Sequence, residues 1–199
     1  MKPLKTIEKI SSGKPVLITA FGDSLTYGWM VRKGYLDYLT EMLKDEYPGS
    51  SVQFLNRRIP GDTAKDGLRR IGEVTKKKAD LVMVEFGLND IYTGFTPDQF
   101  QDNLERIVKE IKASMDAEIA LLTSVYINMP REYAAVLKFY ERINIVGEKN
   151  SIAVVNVHSY WERSIKKGVD IHALVQGDGV HPTEEGYRLF AEAVMCLFK

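Results

Sequence analysis

Five positions in this chain of 199 residues carry groups that together can transfer an acyl group. Ser24 offers a hydroxyl, a poor nucleophile until a base takes its proton. His181 has the side chain suited to that task near neutral pH. A histidine base needs a partner on its other ring nitrogen to fix the tautomer. Asp178 stands three residues before it, on a turn that holds Gly177 and Gly179. The oxyanion formed on attack needs donors, which a glycine N–H such as that of Gly61 and the carboxamide of Asn89 can supply. Read alone, Gly22-Asp23-Ser24 is equally a helix start whose serine caps backbone N–H groups. Asp178 and His181 also have the spacing of a metal pair, but no third and fourth ligand follow at suitable distance, so no metal or other cofactor is expected.

Those residues reach one place only if the elements before them end on one side. Val16 to Phe21 is a short apolar, partly β-branched run, the pattern of a strand buried on both faces. Similar runs at Val52–Leu55, Leu81–Phe86, Ile119–Val125 and Ile152–Val157 predict four more strands. Helical periodicity separates them: Tyr35, Leu36, Leu39, Met42 and Leu43 share one face, and a second helix is expected from Ala64 to Lys77. Thr96-Pro97-Asp98-Gln99 starts a third, with a threonine cap, proline at the first helical position and glutamine at the third. A loop through Asn128, Met129 and Pro130 follows the fourth strand, and Thr183 caps a last helix. Alternation of this kind predicts one α/β domain over residues 1–199, a three-layer α/β/α sandwich on a five-stranded parallel sheet. Ser24, Gly61 and Asn89 then follow strands one, two and three, and Asp178 and His181 lie past strand five. Parallel strands bring these ends to one edge, where open α/β sheets bind ligands.

At this point a resemblance becomes specific. Gly22-Asp23-Ser24-Leu25, Gly61, Gly87-x-Asn89-Asp90 and Asp178-x-x-His181-Pro182 are similar, in this order, to the four blocks of the SGNH, or GDSL, hydrolase superfamily. The matches span residues 22 to 182. Two positions depart from the pattern: Arg58 stands where the second block usually has glycine, and Pro60 where a small polar residue is common. The resemblance implies a flavodoxin-like sheet and serine-dependent ester hydrolysis without a cofactor. It implies Ser24 as nucleophile, His181 as base and Asp178 as its orienter. It implies an oxyanion hole made of the Ser24 N–H, the Gly61 N–H and the Asn89 side chain. The expected activity is acyl-ester hydrolysis, of the esterase/lipase type, on short-chain or acetyl esters. A thioesterase, lysophospholipase or acyltransferase using the same residues, or a non-catalytic domain binding a small ligand or glycan, stands as the alternative.

Composition excludes several other classes. Lys+Arg and Asp+Glu balance at 27 each, which gives no nucleic-acid footprint and no pull toward an anionic membrane. No apolar run is long enough to span a bilayer. The first fourteen residues lack the apolar core of a signal peptide, so a cytoplasmic location is expected. Cys196 is the single cysteine and is expected as a small core residue of the last helix. The expected partner is a small ester, acylated sugar or lipid. Tyr27, Trp29, Tyr126 and Met129 stand near strand ends and are candidate walls of its pocket, as is Tyr92. Asp23 and Asp90 read as turn-stabilising acids, and Glu85 as an acid paired near the polar end of its strand. Of three histidines, His158 also follows strand five, but at the far edge of the sheet, and His172 has only Asp170 nearby.

Overall fold

The computed structural model describes residues 1–127 and 129–199, and the side chains of all of these except 130 and 131. Asn128, expected in the loop after the fourth strand, lies outside the described residues. Among those described, five strands form one parallel sheet: β1 (Pro15–Gly22), β2 (Ser51–Arg58), β3 (Leu81–Glu85), β4 (Glu118–Leu122) and β5 (Ala153–Val155). Their order is β2-β1-β3-β4-β5. In register, Gly22 pairs with Arg58 on one side and Glu85 on the other, and Glu85 pairs with Leu122. The ends of β1, β2, β3 and β4 are therefore level along one edge.

The helices are α1 (Leu4–Ser11), α2 (Ser24–Tyr27), α3 (Tyr35–Glu46), α4 (Ala64–Arg69), α5 (Gly72–Thr75), α6 (Leu88–Tyr92), α7 (Pro97–Ser114), α8 (Pro130–Asn150), α9 (Val157–Lys166), α10 (Ile171–Leu174) and α11 (Glu184–Met195). α3 and α9 pack on α11, while α4 and α8 pack on α7. These two groups cover opposite faces of the sheet, giving the three layers expected. Every residue of β3 is buried, as a central parallel strand covered on both faces must be. The reciprocal cap at Thr96 and Gln99 forms as the sequence predicts, with Gln99 N–H donating to Thr96 Oγ1 and Thr96 N–H to Gln99 Oε1.

Three local expectations are corrected. The helix predicted over Ala64–Lys77 is two pieces, α4 and α5. It breaks at Arg70–Ile71, where the side chain of Arg70 is drawn to Asp62 and to two strand ends, and Gly72 follows with its weak helix propensity. Strand β4 stops at Leu122, short of Val125, because its neighbour β5 is only three residues long. Thr123 makes one last backbone bond, its N–H to the Val155 carbonyl at 3.0 Å, and the hydroxyls of Thr123 and Ser124 then serve the His158 N–H and Glu85. Cys196 is exposed rather than buried. It falls in line with Arg188 and Glu192, the outer stripe of α11, opposite buried Tyr187, Phe190, Ala191 and Val194.

Candidate active site

Strand β1 ends at a glycine for a steric reason. A Cβ on Gly22 would stand 2.3 Å from Thr26 Oγ1 and 2.7 Å from the Glu85 carbonyl oxygen. The chain then turns through Asp23, whose Oδ1 accepts the Leu25 N–H at 2.9 Å and so caps α2. Ser24 is the first residue of that helix, half-buried at the sheet edge. Its N–H has no partner among the described residues.

His181 reaches Ser24 from the other end of the chain. Its Nε2 lies 2.9 Å from Ser24 Oγ, and its Nδ1 lies 2.7 Å from Asp178 Oδ2. An ionised carboxylate only accepts, so Nδ1 carries the hydrogen and Nε2 presents a lone pair to the serine hydroxyl. The other oxygen, Asp178 Oδ1, accepts the N–H groups of Val180 and His181, both at 2.9 Å. Partial burial pushes the Asp178 carboxyl up, but the Val180 N–H, the imidazole and the His181 N–H outweigh it and hold the group below its usual range. The turn itself is sealed: Gln176 N–H donates to the His181 carbonyl at 2.8 Å, and the Gln176 carboxamide to the carbonyls of Trp29 and Pro182. Thr183 caps α11 immediately after, as expected, accepting the Gly186 N–H at 3.2 Å.

Gly61 lies in a tight turn after β2, closed by the Asp62 N–H to the Ile59 carbonyl at 3.1 Å. Proline at the second position and glycine with φ +86° at the third are what a type II turn demands, so Pro60 suits this loop. The Gly61 N–H has no partner among the described residues. Arg70, not singled out by sequence, holds the turn in place. Its Nε donates to Asp62 Oδ2 at 2.6 Å, and its other nitrogens donate to the carbonyls of Gly22 at 3.0 Å and Arg57 at 3.3 Å. The exposed Arg58 guanidinium lies over the Tyr27 ring, 4.8 Å from its centroid.

Asn89, in α6, donates its carboxamide hydrogens to Asp23 Oδ2 at 2.9 Å and to the Asp62 carbonyl at 3.0 Å. Below it lie three buried acids, Asp23, Glu85 and Asp90. Burial, reinforced by the neighbouring Glu85 charge, pushes Asp23 well above the usual carboxylate range. Burial also raises Glu85 and pushes Asp90 up to about 7. Asp90 accepts the Ala64 N–H at the start of α4 through both oxygens, and Asp23 caps α2, so both secure turns as expected. Glu85 is paired, as expected, but fully buried under the site rather than at a wet edge.

A cleft of about 270 Å³ opens beside Ser24, lined on its apolar side by Leu25, Leu88, Tyr92 and Val180. Tyr92 is thus on the wall, whereas Tyr27, Trp29, Tyr126 and Met129 are not among its lining residues. Trp29 leans on His181, ring centroids 5.9 Å apart, and Tyr27 leans on Trp29. Tyr126 packs on His158 and Tyr133 instead. Leu88 and Val180 carried a signal that sequence reading passed over: each is the apolar residue directly before a site residue on the shared edge. His158 is buried in α9 among Tyr126, Tyr133 and Tyr140, and its Nε2 has no partner among the described residues. His172 is exposed on α10.

Comparison with known proteins places this geometry in context. The model of the GDSL-like lipase/acylhydrolase family matches residues 20–189. An arylesterase of Vibrio mimicus is 28% identical over 180 residues, 89% of this chain and 85% of that protein. An acetylxylan esterase of Geobacillus stearothermophilus is 28% identical over 213 residues, 94% of each chain. A solved structure of an acetylxylan esterase from that organism superposes with a TM-score of 0.81 at 24% identity, covering 96% of both chains.

Proposed function

This chain belongs to the GDSL-like lipase/acylhydrolase family and is a serine-dependent ester hydrolase, and from that premise we propose that Ser24, His181 and Asp178 carry the reaction. The observation that carries this reading is the continuous relay Ser24 Oγ–His181 Nε2–His181 Nδ1–Asp178 Oδ2, with links of 2.9 and 2.7 Å. His181 takes the Ser24 proton as Oγ bonds to the acyl carbon, and the carbonyl electrons move onto oxygen. The Ser24 and Gly61 N–H groups, both without other partners among the described residues, and the Asn89 carboxamide stabilise that oxyanion. Its collapse expels the alkoxide, which leaves with the proton from His181 as the alcohol. Water, deprotonated by the same imidazole, then attacks the acyl-enzyme, and the acid leaves as Ser24 recovers its proton.

The small volume of the cleft, about 270 Å³, and its apolar side support short acyl groups, acetyl among them, in keeping with the acetylxylan esterase among the relatives. We also place the enzyme in the cytoplasm, on the strength of a single unpaired cysteine, which suits a reducing compartment. Among the described residues no helix is long and apolar enough to cross a membrane. The test is direct: a fluorophosphonate should label the wild type stoichiometrically, and Ser24→Ala should lose both labelling and esterase turnover with an unchanged melting temperature. Wild-type turnover by a pure Ser24→Ala protein would sink the assignment.

A further inference from the structure

Two of the buried acids stand at the ends of β1 and β3, next to the turn that carries Ser24, and take no part in the proton relay. Asp23 and Glu85 are each 1% exposed and stand next to each other across the β1–β3 register, in which Gly22 pairs with Glu85. Neighbouring carboxylates in a dry site do not both ionise readily, so the pair holds a proton. Glu85 receives the Ser124 hydroxyl and the Thr26 hydroxyl, the latter at 3.3 Å. Asp23 receives the Leu25 N–H and one hydrogen of Asn89, each at 2.9 Å. Each acid has two donors, and burial together with the facing Glu85 charge raises Asp23 well above the usual carboxylate range, so the proton is on Asp23.

That location matters because Asp23 touches Asn89. Both hydrogens of the Asn89 carboxamide are occupied, by Asp23 Oδ2 and by the Asp62 carbonyl. An acyl oxygen has to share one of them. A hydrogen bond to an ionised carboxylate is roughly twice as strong as a neutral one, so an ionised Asp23 would hold that hydrogen back. It would also set negative charge beside the developing oxyanion. We propose that Asp23 is a positioning residue for acyl transfer: kept neutral by Glu85, it aims the Asn89 carboxamide at the acyl oxygen through a bond weak enough to share. This rests on the proposed role of Asn89 as an oxyanion donor. The other titratable groups facing the pair are Asp90 and His181 toward Asp23, and Tyr35, Tyr140 and Tyr187 toward both acids. Burial raises all three phenols, which keeps them neutral beside Glu85.

The test is Glu85→Gln in the full chain. Glutamine still accepts from Ser124 but turns a donating N–H toward Asp23, which then faces three donors and ionises. kcat at neutral pH should fall about 10–100-fold, the effect of one charge several ångströms from the oxyanion at an effective dielectric near 20. KM should change little, and the alkaline decline of kcat in the wild type, as the pair gives up its proton, should be absent from the variant. An infrared spectrum in an Asp90→Asn background should contain a protonated-carboxyl band at neutral pH that Glu85→Gln removes. If Glu85→Gln does not fold, that band and the alkaline decline in the Asp90→Asn protein carry the test alone, and the absence of either overturns the proposal. A folded Glu85→Gln enzyme with wild-type kcat overturns it as well. Asn89→Ala separates the two levels. It should lower kcat about 10²–10³-fold, the loss for one oxyanion donor. Should it leave kcat unchanged, the role of Asn89 itself falls; should it be slow while Glu85→Gln is not, only the role of the acid pair falls.

Discussion

Replacing Asp178 by asparagine asks the imidazole a question that few other substitutions can. Asp178 does two things with two oxygens: Oδ1 holds the Val180 and His181 N–H groups, and Oδ2 accepts from His181 Nδ1. Asparagine keeps the first function with its carbonyl oxygen and inverts the second, because its NH2 group faces Nδ1. The ring then accepts at Nδ1 and carries its hydrogen on Nε2, which can no longer take the Ser24 proton. The expected loss in kcat is about 10⁴-fold, the size of a wrong-tautomer defect in this kind of relay. Asp178→Ala should cost less, about 10²–10³-fold, because the freed ring can adopt either tautomer and water reaches the vacated place. The aspartate side chain is already 47% exposed, so solvent softens the purely electrostatic part of its role but not the choice of tautomer. The assay is steady-state hydrolysis of p-nitrophenyl acetate, with fluorophosphonate labelling rates to separate Ser24 reactivity from substrate binding. Stability gives a second readout. A carboxyl held below its unfolded value contributes stability that is present above the unfolded value and lost as pH falls through the folded one. Asp178→Asn should therefore melt lower than wild type near neutral pH, with the gap closing in acid. Asp178→Asn faster than Asp178→Ala would refute the tautomer argument.

The histidines should divide sharply: His181→Ala loses several orders of magnitude in kcat, while His158→Ala lowers the melting temperature by the equivalent of about 1–3 kcal/mol with kcat nearly intact, since its ring fills a tyrosine-walled site. Exposed His172→Ala should change neither, and comparable kcat losses at His158 and His181 in folded proteins would overturn the choice of base. Asp90, pushed up to about 7 by burial, binds a proton in the folded state that the unfolded chain releases near 4, so stability should decline as pH rises from about 4 to 7. Denaturation of Asp90→Asn across that range should give a flatter curve than wild type, and parallel curves would contradict the shift. Acyl length reports on the cleft formed by Leu88, Tyr92 and Val180: p-nitrophenyl acetate should be cleaved faster than the palmitate, and the reverse order would show that the wall yields.

What sequence by itself determined here is whatever depends on spacing along the chain and on the shared direction of parallel strands. Ser24, Gly61 and Asn89 each follow a strand, and parallel strands end on one side, so their meeting was legible before any coordinate. Asp178 and His181 are three residues apart on a glycine-flanked turn, and a turn is local. The far position of His158 followed from the same counting, since β5 closes the sheet at the edge away from β2. Tertiary structure decided the rest because it concerns contacts between residues that sequence distance does not relate. That Asp23 meets Glu85, 62 positions later, depends on β1 lying beside β3 in the register that pairs Gly22 with Glu85. Arg70 reads as one more polar residue of an amphipathic helix, yet packing turns it inward onto Asp62 and two strand ends, and that pull breaks the helix. The cleft wall of Leu88, Tyr92 and Val180 depends on α6 meeting the turn before α11, and Cys196 lies outside because it continues the outer stripe of Arg188 and Glu192 at the end of α11, between buried Met195 and Leu197. Periodicity tells which face of an element is apolar; only packing tells which of the polar groups on the remaining faces are brought close enough to share a proton.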